Sequence, residues 1–189
     1  QMVTMSCWHP DIIEYIEAKK TPGRLSKFNM SVLCTDEFMT AVAMDMPWQL
    51  VFPNYEKYSL DYKSYWNGDI QSWIKDFNAD NTTCSDKKTK PCTENIQDSD
   101  SVVVYHTFES ARDLWNLIME NTYNRNEPGV LFVDHMNKMN NLNYCEWINA
   151  TNPCGEQVLP IGGVCLLGSI NLVHFINEDK KHWKYNELK

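Results

Sequence analysis

The chain has 189 residues, with 17 basic and 25 acidic side chains and a net charge of −8. Hydrophobic residues make up 43% and charged residues 22%, ordinary globular usage that excludes wholesale disorder. No stretch reaches the roughly 18 uncharged apolar residues of a membrane span, no secretory signal pattern is readable, and the acidic balance argues against nucleic acid, whose phosphates need clustered Lys and Arg.

In chain order, His9-Pro10-Asp11 predicts the start of a helix, with Ile12, Tyr15 and Ile16 on one face and Thr21-Pro22-Gly23 as the stop. Residues 28–33 alternate Phe28, Met30 and Val32 against Asn29 and Ser31, the pattern of a half-buried strand. Thr35 can cap a second helix whose first turn holds Asp36 and Glu37 and whose inner face holds Phe38, Ala41 and Val42. Pro47 ends it, and residues 48–52 read as another short strand. Between about 54 and 101 the pattern loosens into a variable surface segment, with a short helix expected over 70–77 and a polar loop after it. Residues 102–105 predict a strand. Ala111, Leu114, Trp115, Ile118, Met119 and Thr122 then form an amphipathic helical stripe capped by Thr107 or Ser110. Pro128-Gly129 breaks that helix, and the apolar run 130–133 is expected as a strand buried on both faces. Strands alternating with helices imply an α/β architecture.

Seven cysteines (Cys7, Cys34, Cys84, Cys92, Cys145, Cys154, Cys165) are an odd number with no C-x-x-C pair, which points to free thiols in a reducing compartment. The N-x-[ST] strings at Asn29, Asn81 and Asn149 are short enough to arise by chance. The stretch 151–172, TNPCGEQVLPIGGVCLLGSINL, carries the chemistry. Asn152-Pro153-Cys154-Gly155 has turn residues at every position and would lift Cys154 to a loop tip, with Asn152 and Glu156 two residues away on either side. A sulfur for nucleophilic or one-electron work, a carboxylate acid/base and a hydrogen-bonding amide would share one small volume. Cys165 begins the apolar run Cys165-Leu166-Leu167, expected as a strand that returns beside the turn. By themselves such features are more often a plain turn and a small buried hydrophobe. A metal site on Cys145, Cys154 and Cys165 fits no compact ligand pattern, so no metal is assigned.

NPCGEQ followed by VCLLGSINL resembles the catalytic core of the ribonucleotide reductase large subunit, and the PCGE form most resembles the adenosylcobalamin-dependent class. QMVTMSCWHPDIIEYIEAKK, KFNMSVLCTDEFM, WQLVFP and ARDLWNLIMENTYNRNEPGVLFVDHMNKMN follow in the family's order, so the resemblance covers nearly the whole chain apart from residues 58–101. It implies the central part of a ten-stranded α/β barrel with an inner cysteine-bearing finger loop. It also implies that Cys154 holds a transient thiyl radical that takes the 3′-hydrogen of the ribose. Glu156 would accept the 3′-hydroxyl proton, a task suited to a partly buried carboxylate. Asn152 would bind the ribose hydroxyls, and Cys165 would be one half of a reducing dithiol.

The cofactor implied is adenosylcobalamin. The partners implied are a ribonucleotide substrate, a thioredoxin-like reductant, allosteric nucleotides bound outside this stretch, and a second copy in a homodimer, with neither nucleic acid nor membrane. The localisation implied is cytoplasmic. Cys165's family partner lies upstream of anything resembling Gln1. Cys7, Cys34 and Cys145 are read as structural, Cys84 and Cys92 carry no assigned chemistry, and Val158 stands where relatives commonly have proline. The chain begins at Gln1 rather than Met, and as part of a larger barrel it is expected to be poorly soluble or oligomeric, and inactive, by itself. Two other readings stand beside the enzyme: a non-catalytic α/β nucleotide-binding or interaction module, and a thiol–disulfide oxidoreductase exchanging Cys154 with Cys165. A reductase drawing its radical from a separate subunit would share the same loop residues.

Overall fold

The computed structural model describes residues 1–54, 70, 102–176, 182–184 and 186. Their order is β1 (Met2–Ser6), α1 (Ile12–Glu17), β2 (Asn29–Cys34), α2 (Asp36–Met44), β3 (Trp48–Pro53), β4 (Val102–Phe108), α3 (Ala111–Arg125), β5 (Gly129–Phe132), α4 (Val133–Met139), β6 (Ile148–Thr151), β7 (Val158–Pro160) and a 3-10 turn (Leu172–Phe175). The expected variable segment at 54–101 lies outside the described residues except for Asn54 and a helical, buried Ile70. Cys84 and Cys92 lie outside them too. No helix among the described residues is long and apolar enough to cross a membrane.

Local chemistry sets the helix ends. The Thr35 hydroxyl accepts from the Phe38 N–H at 3.1 Å, satisfying a donor in the first turn of α2. Ser110, rather than Thr107, caps α3 by accepting from the Arg112 N–H at 3.1 Å. Both helices end on short polar residues in left-handed backbone, Asp45 and Asn126, which tolerate that conformation better than most.

The main sheet is parallel, in the order β1-β2-β5. Because parallel strands need crossovers, α1 lies between β1 and β2 in the chain, and α2, β3, β4 and α3 lie between β2 and β5. β2 is the central strand and is buried throughout Met30–Cys34, not half-buried as its alternation predicts. The polar position that misleads is Ser31. It sits close to Gly129 of β5, where even a single added carbon would come within 2.8 Å of the Ser31 hydroxyl. Its backbone N–H donates to the Tyr15 hydroxyl at 3.0 Å, and that hydroxyl donates on to the Val3 carbonyl at 2.7 Å. Lys19, after α1, donates to the Phe28 carbonyl and to Glu127, whose other oxygen accepts the Met30 N–H at 3.1 Å. That half-buried pair ties α1, the start of β2 and the turn before β5 together.

α3 packs against α1 and α2, and the core between helices and strands holds Phe38, Ile12, Leu50, Leu114, Ile118 and Val32, all fully buried. Phe38 meets the Trp48 ring edge-on with centroids 4.9 Å apart. Truncating a fully buried aromatic removes its transfer energy and leaves a cavity. Phe38→Ala should therefore cost about 3–5 kcal/mol in chemical unfolding of the protein that carries this chain, whereas a cost below about 1 kcal/mol would contradict this packing.

Two expectations about β5, its extent and its burial, are corrected. β5 covers Gly129–Phe132, and Val133 already begins α4. Instead of being buried on both faces, β5 is intermediate in burial and ends on an exposed Phe132, because only β2 pairs with it among the described residues. The described strands also form three separate sheets, β1-β2-β5, β3-β4 and β6-β7, with no closed sheet. A barrel closes only when every strand has two neighbours, and the described strands do not supply them.

Candidate active site

β6 and β7 form an antiparallel hairpin in which Ile148 opposes Pro160 and Thr151 opposes Val158. Residues 152–157 make its tip. Asn152 donates its N–H to the Gln157 carbonyl at 3.0 Å, and Gln157 returns its N–H to Asn152 Oδ1 at 3.0 Å. Inside that neck the Gly155 N–H donates to the Asn152 carbonyl at 3.0 Å, closing a β-turn with Pro153 second and Cys154 third. Pro fixes φ at the second position, and Gly155 takes the positive φ of 84° that lets the chain re-enter β7. The sequence thus folds here as its turn chemistry predicts, with an exposed Cys154 at the apex.

Asn152 is buried, and its side-chain oxygen is engaged with Gln157, so the amide NH₂ is what it can offer a substrate oxygen. Glu156 stands exposed beside the apex, not partly buried as its expected role suggests. Asn152, Cys154 and Glu156 therefore occupy one short tip.

Cys165 is not brought into that group by any described hydrogen bond. It is half-exposed and begins an irregular stretch instead of the expected strand, with Leu166 and Leu167 exposed to 95% and 83%. An apolar run becomes a strand only where an open sheet edge receives it, and no described edge does so here.

The other described thiols divide by burial. Cys7 and Cys34 are fully buried. Burial pushes the Cys7 thiol up to about 12 and the Cys34 thiol up as well, so both stay protonated and inert at neutral pH. Cys145, expected to pack, is instead exposed on the loop after α4, its sulfur near the Leu142 carbonyl at 3.5 Å.

Three residues that hold the hairpin in place carry no signal in the sequence. Asn137 of α4 is buried and brackets Ile148, donating to its carbonyl at 2.8 Å and accepting its N–H at 2.7 Å. Thr4 of β1 donates to the Asn149 carbonyl at 2.9 Å. Asn29, at the start of β2, donates from Nδ2 to the Pro153 carbonyl at 3.0 Å.

Comparison with known proteins places these features in a family. The model of the ribonucleotide reductase barrel domain matches residues 1–189. The chain is 29% identical over 174 residues to the vitamin B12-dependent ribonucleoside-diphosphate reductase of Thermoplasma acidophilum, covering 92% of this chain and 16% of that relative. It is 27% identical over 183 residues to the enzyme of the same name from Mycobacterium tuberculosis, covering 96% of this chain and 20% of that one. The ribonucleoside-diphosphate reductase large chain of Cryptosporidium parvum is 24% identical over 190 residues, covering 96% of this chain and 20% of the relative. The chain thus spans a fifth or less of the length of these relatives.

Proposed function

Because the chain belongs to the ribonucleotide reductase barrel-domain family, we propose that the protein carrying it reduces ribonucleotides to 2′-deoxyribonucleotides through a thiyl radical on Cys154. The observation that carries this reading is the Asn152–Gly155 turn, which raises Cys154 to an exposed apex between a buried amide and a carboxylate. The hairpin is then the inner finger loop of the ten-stranded barrel.

In this account the Cys154 sulfur takes the hydrogen atom from C3′ of the ribose. Glu156 accepts the 3′-hydroxyl proton, which eases loss of the 2′-hydroxyl as water. The Asn152 amide holds the ribose hydroxyls against the sulfur, so that the reacting atoms meet without a search over orientations. Two electrons come from a dithiol containing Cys165, which ends as a disulfide, and Cys154 returns a hydrogen atom to C3′. A thioredoxin-like partner restores the dithiol by exchange, and a reducing, cytoplasmic setting keeps the thiols ready.

The vitamin B12-dependent relatives point to adenosylcobalamin as the cofactor. An exposed thiol at a turn apex fits it, being an accessible hydrogen-atom donor. When bound, adenosylcobalamin supplies the hydrogen-abstracting radical equivalent that activates Cys154. Allosteric nucleotides bound outside this stretch and a homodimer partner belong to the same proposal.

The dithiol step is tested in the full-length protein, reduced beforehand and given ribonucleotide and adenosylcobalamin with no further reductant. About one deoxyribonucleotide per dithiol is expected, and Cys165→Ser should form none. A yield unchanged by Cys165→Ser overturns the role of Cys165, and the absence of any deoxyribonucleotide from the unsubstituted protein overturns the reading.

A further inference from the structure

The geometry points to Asn29 as a positioning residue for Cys154, a role that rests on the function proposed above and adds to it a residue far away in the sequence. The turn that carries Cys154 is pinned at most of its joints from within. Asn152 is fixed by its two bonds to Gln157, Gly155 by its bond to the Asn152 carbonyl, and φ of Pro153 by its ring. The soft joint that remains ahead of Cys154 is ψ of Pro153, which swings the planar peptide joining Pro153 to Cys154.

That peptide has two good orientations. One gives a type I turn, and flipping it gives a type II turn that asks for a positive φ at the third residue. The third residue here is Cys154, for which a positive φ is costly, and the positive φ of 84° falls instead on Gly155. The oxygen that moves in such a flip is the Pro153 carbonyl. Asn29 holds that oxygen, with Nδ2 3.0 Å away.

Asn29 is itself well placed to act as a fixed post. It opens β2, pairs with Met2 in the parallel ladder and donates its N–H to the Gln1 carbonyl at 2.7 Å. The bond therefore connects the main sheet to the peptide immediately before the reacting sulfur. Asn137 and Thr4 act lower on the hairpin, at Ile148 and Asn149, and set where β6 lies rather than which way the tip peptide faces. Asn29 is exposed, so the fold does not depend on it for packing. It also does not touch the volume that Asn152, Cys154 and Glu156 would share through any other described bond.

The test uses the full-length protein with Asn29→Asp, which keeps the shape but sets a carboxylate oxygen against the Pro153 carbonyl, and with Asn29→Ala. A misdirected reacting atom typically costs on the order of tenfold to a hundredfold in turnover. Both variants should lose kcat by that factor, with KM for the ribonucleotide within about twofold and the thermal midpoint unchanged. Turnover near the unsubstituted level in Asn29→Asp, alongside an inactive Cys154→Ala, overturns the positioning role alone. A loss of kcat that tracks a falling thermal midpoint also overturns it, assigning Asn29 to the fold. Activity persisting in Cys154→Ala overturns the reading beneath it.

Discussion

Cys154→Ala in the full-length protein should abolish deoxyribonucleotide formation, a loss of at least about 10⁴-fold, while ribonucleotide binding stays within a few-fold. The size of the effect follows from the chemistry assigned to the sulfur. A methyl side chain has no weak bond to hydrogen, so it can neither hold the radical nor hand a hydrogen atom back to C3′. Folding should survive, because Cys154 is exposed at the apex of a turn closed by backbone bonds and by Asn152, none of which uses the thiol. Chemical unfolding of the variant, run beside the turnover assay, checks that separation. Residual turnover above about 1% of the unsubstituted rate would remove Cys154 from the chemistry.

Glu156→Gln should lower kcat by about 10²–10⁴-fold, the usual contribution of a positioned general base. The amide is nearly isosteric with the carboxylate and keeps hydrogen-bonding capacity, so KM should change little. What it lacks is a group able to accept the 3′-hydroxyl proton as the 2′-hydroxyl leaves. Glu156 stands exposed with no described ion pair, so the variant should also unfold at the same denaturant concentration as the parent. A kcat within about threefold of the parent would assign the proton transfer to another group.

How much of this was legible in the sequence depends on the range of the interactions. The caps of α2 and α3, the amphipathic face of α3 and the Asn152–Gly155 turn rest on neighbours a few residues apart, and the sequence shows them. β2 is different. Ser31 reads as a solvent-facing position, yet it is buried because Tyr15 satisfies its backbone and Gly129 makes room beside it. No local pattern encodes that contact. Leu166 and Leu167 fail the opposite way: their apolar run has strand propensity, but a strand also needs an edge to pair with. Glu156 and Cys145 show the limit for burial, since residue type sets a preference and the surrounding chain decides the outcome.

The candidate site divides along the same line. Asn152, Cys154 and Glu156 sit within one tip and can be chosen by eye from six letters of sequence. The groups that hold the hairpin in place, Asn137, Thr4 and Asn29, reach it across 11, 145 and 124 residues. Each is a short polar side chain on an element whose other residues pack or pair, and only the tertiary fold distinguishes it from any other Asn or Thr.

The most direct test of the central claim is deoxyribonucleotide formation by the full-length protein with ribonucleotide, a dithiol reductant and adenosylcobalamin as the sole added radical source. Product is expected from the unsubstituted protein and none from Cys154→Ala under the same conditions. No product from the unsubstituted protein, or product undiminished in Cys154→Ala, would contradict it.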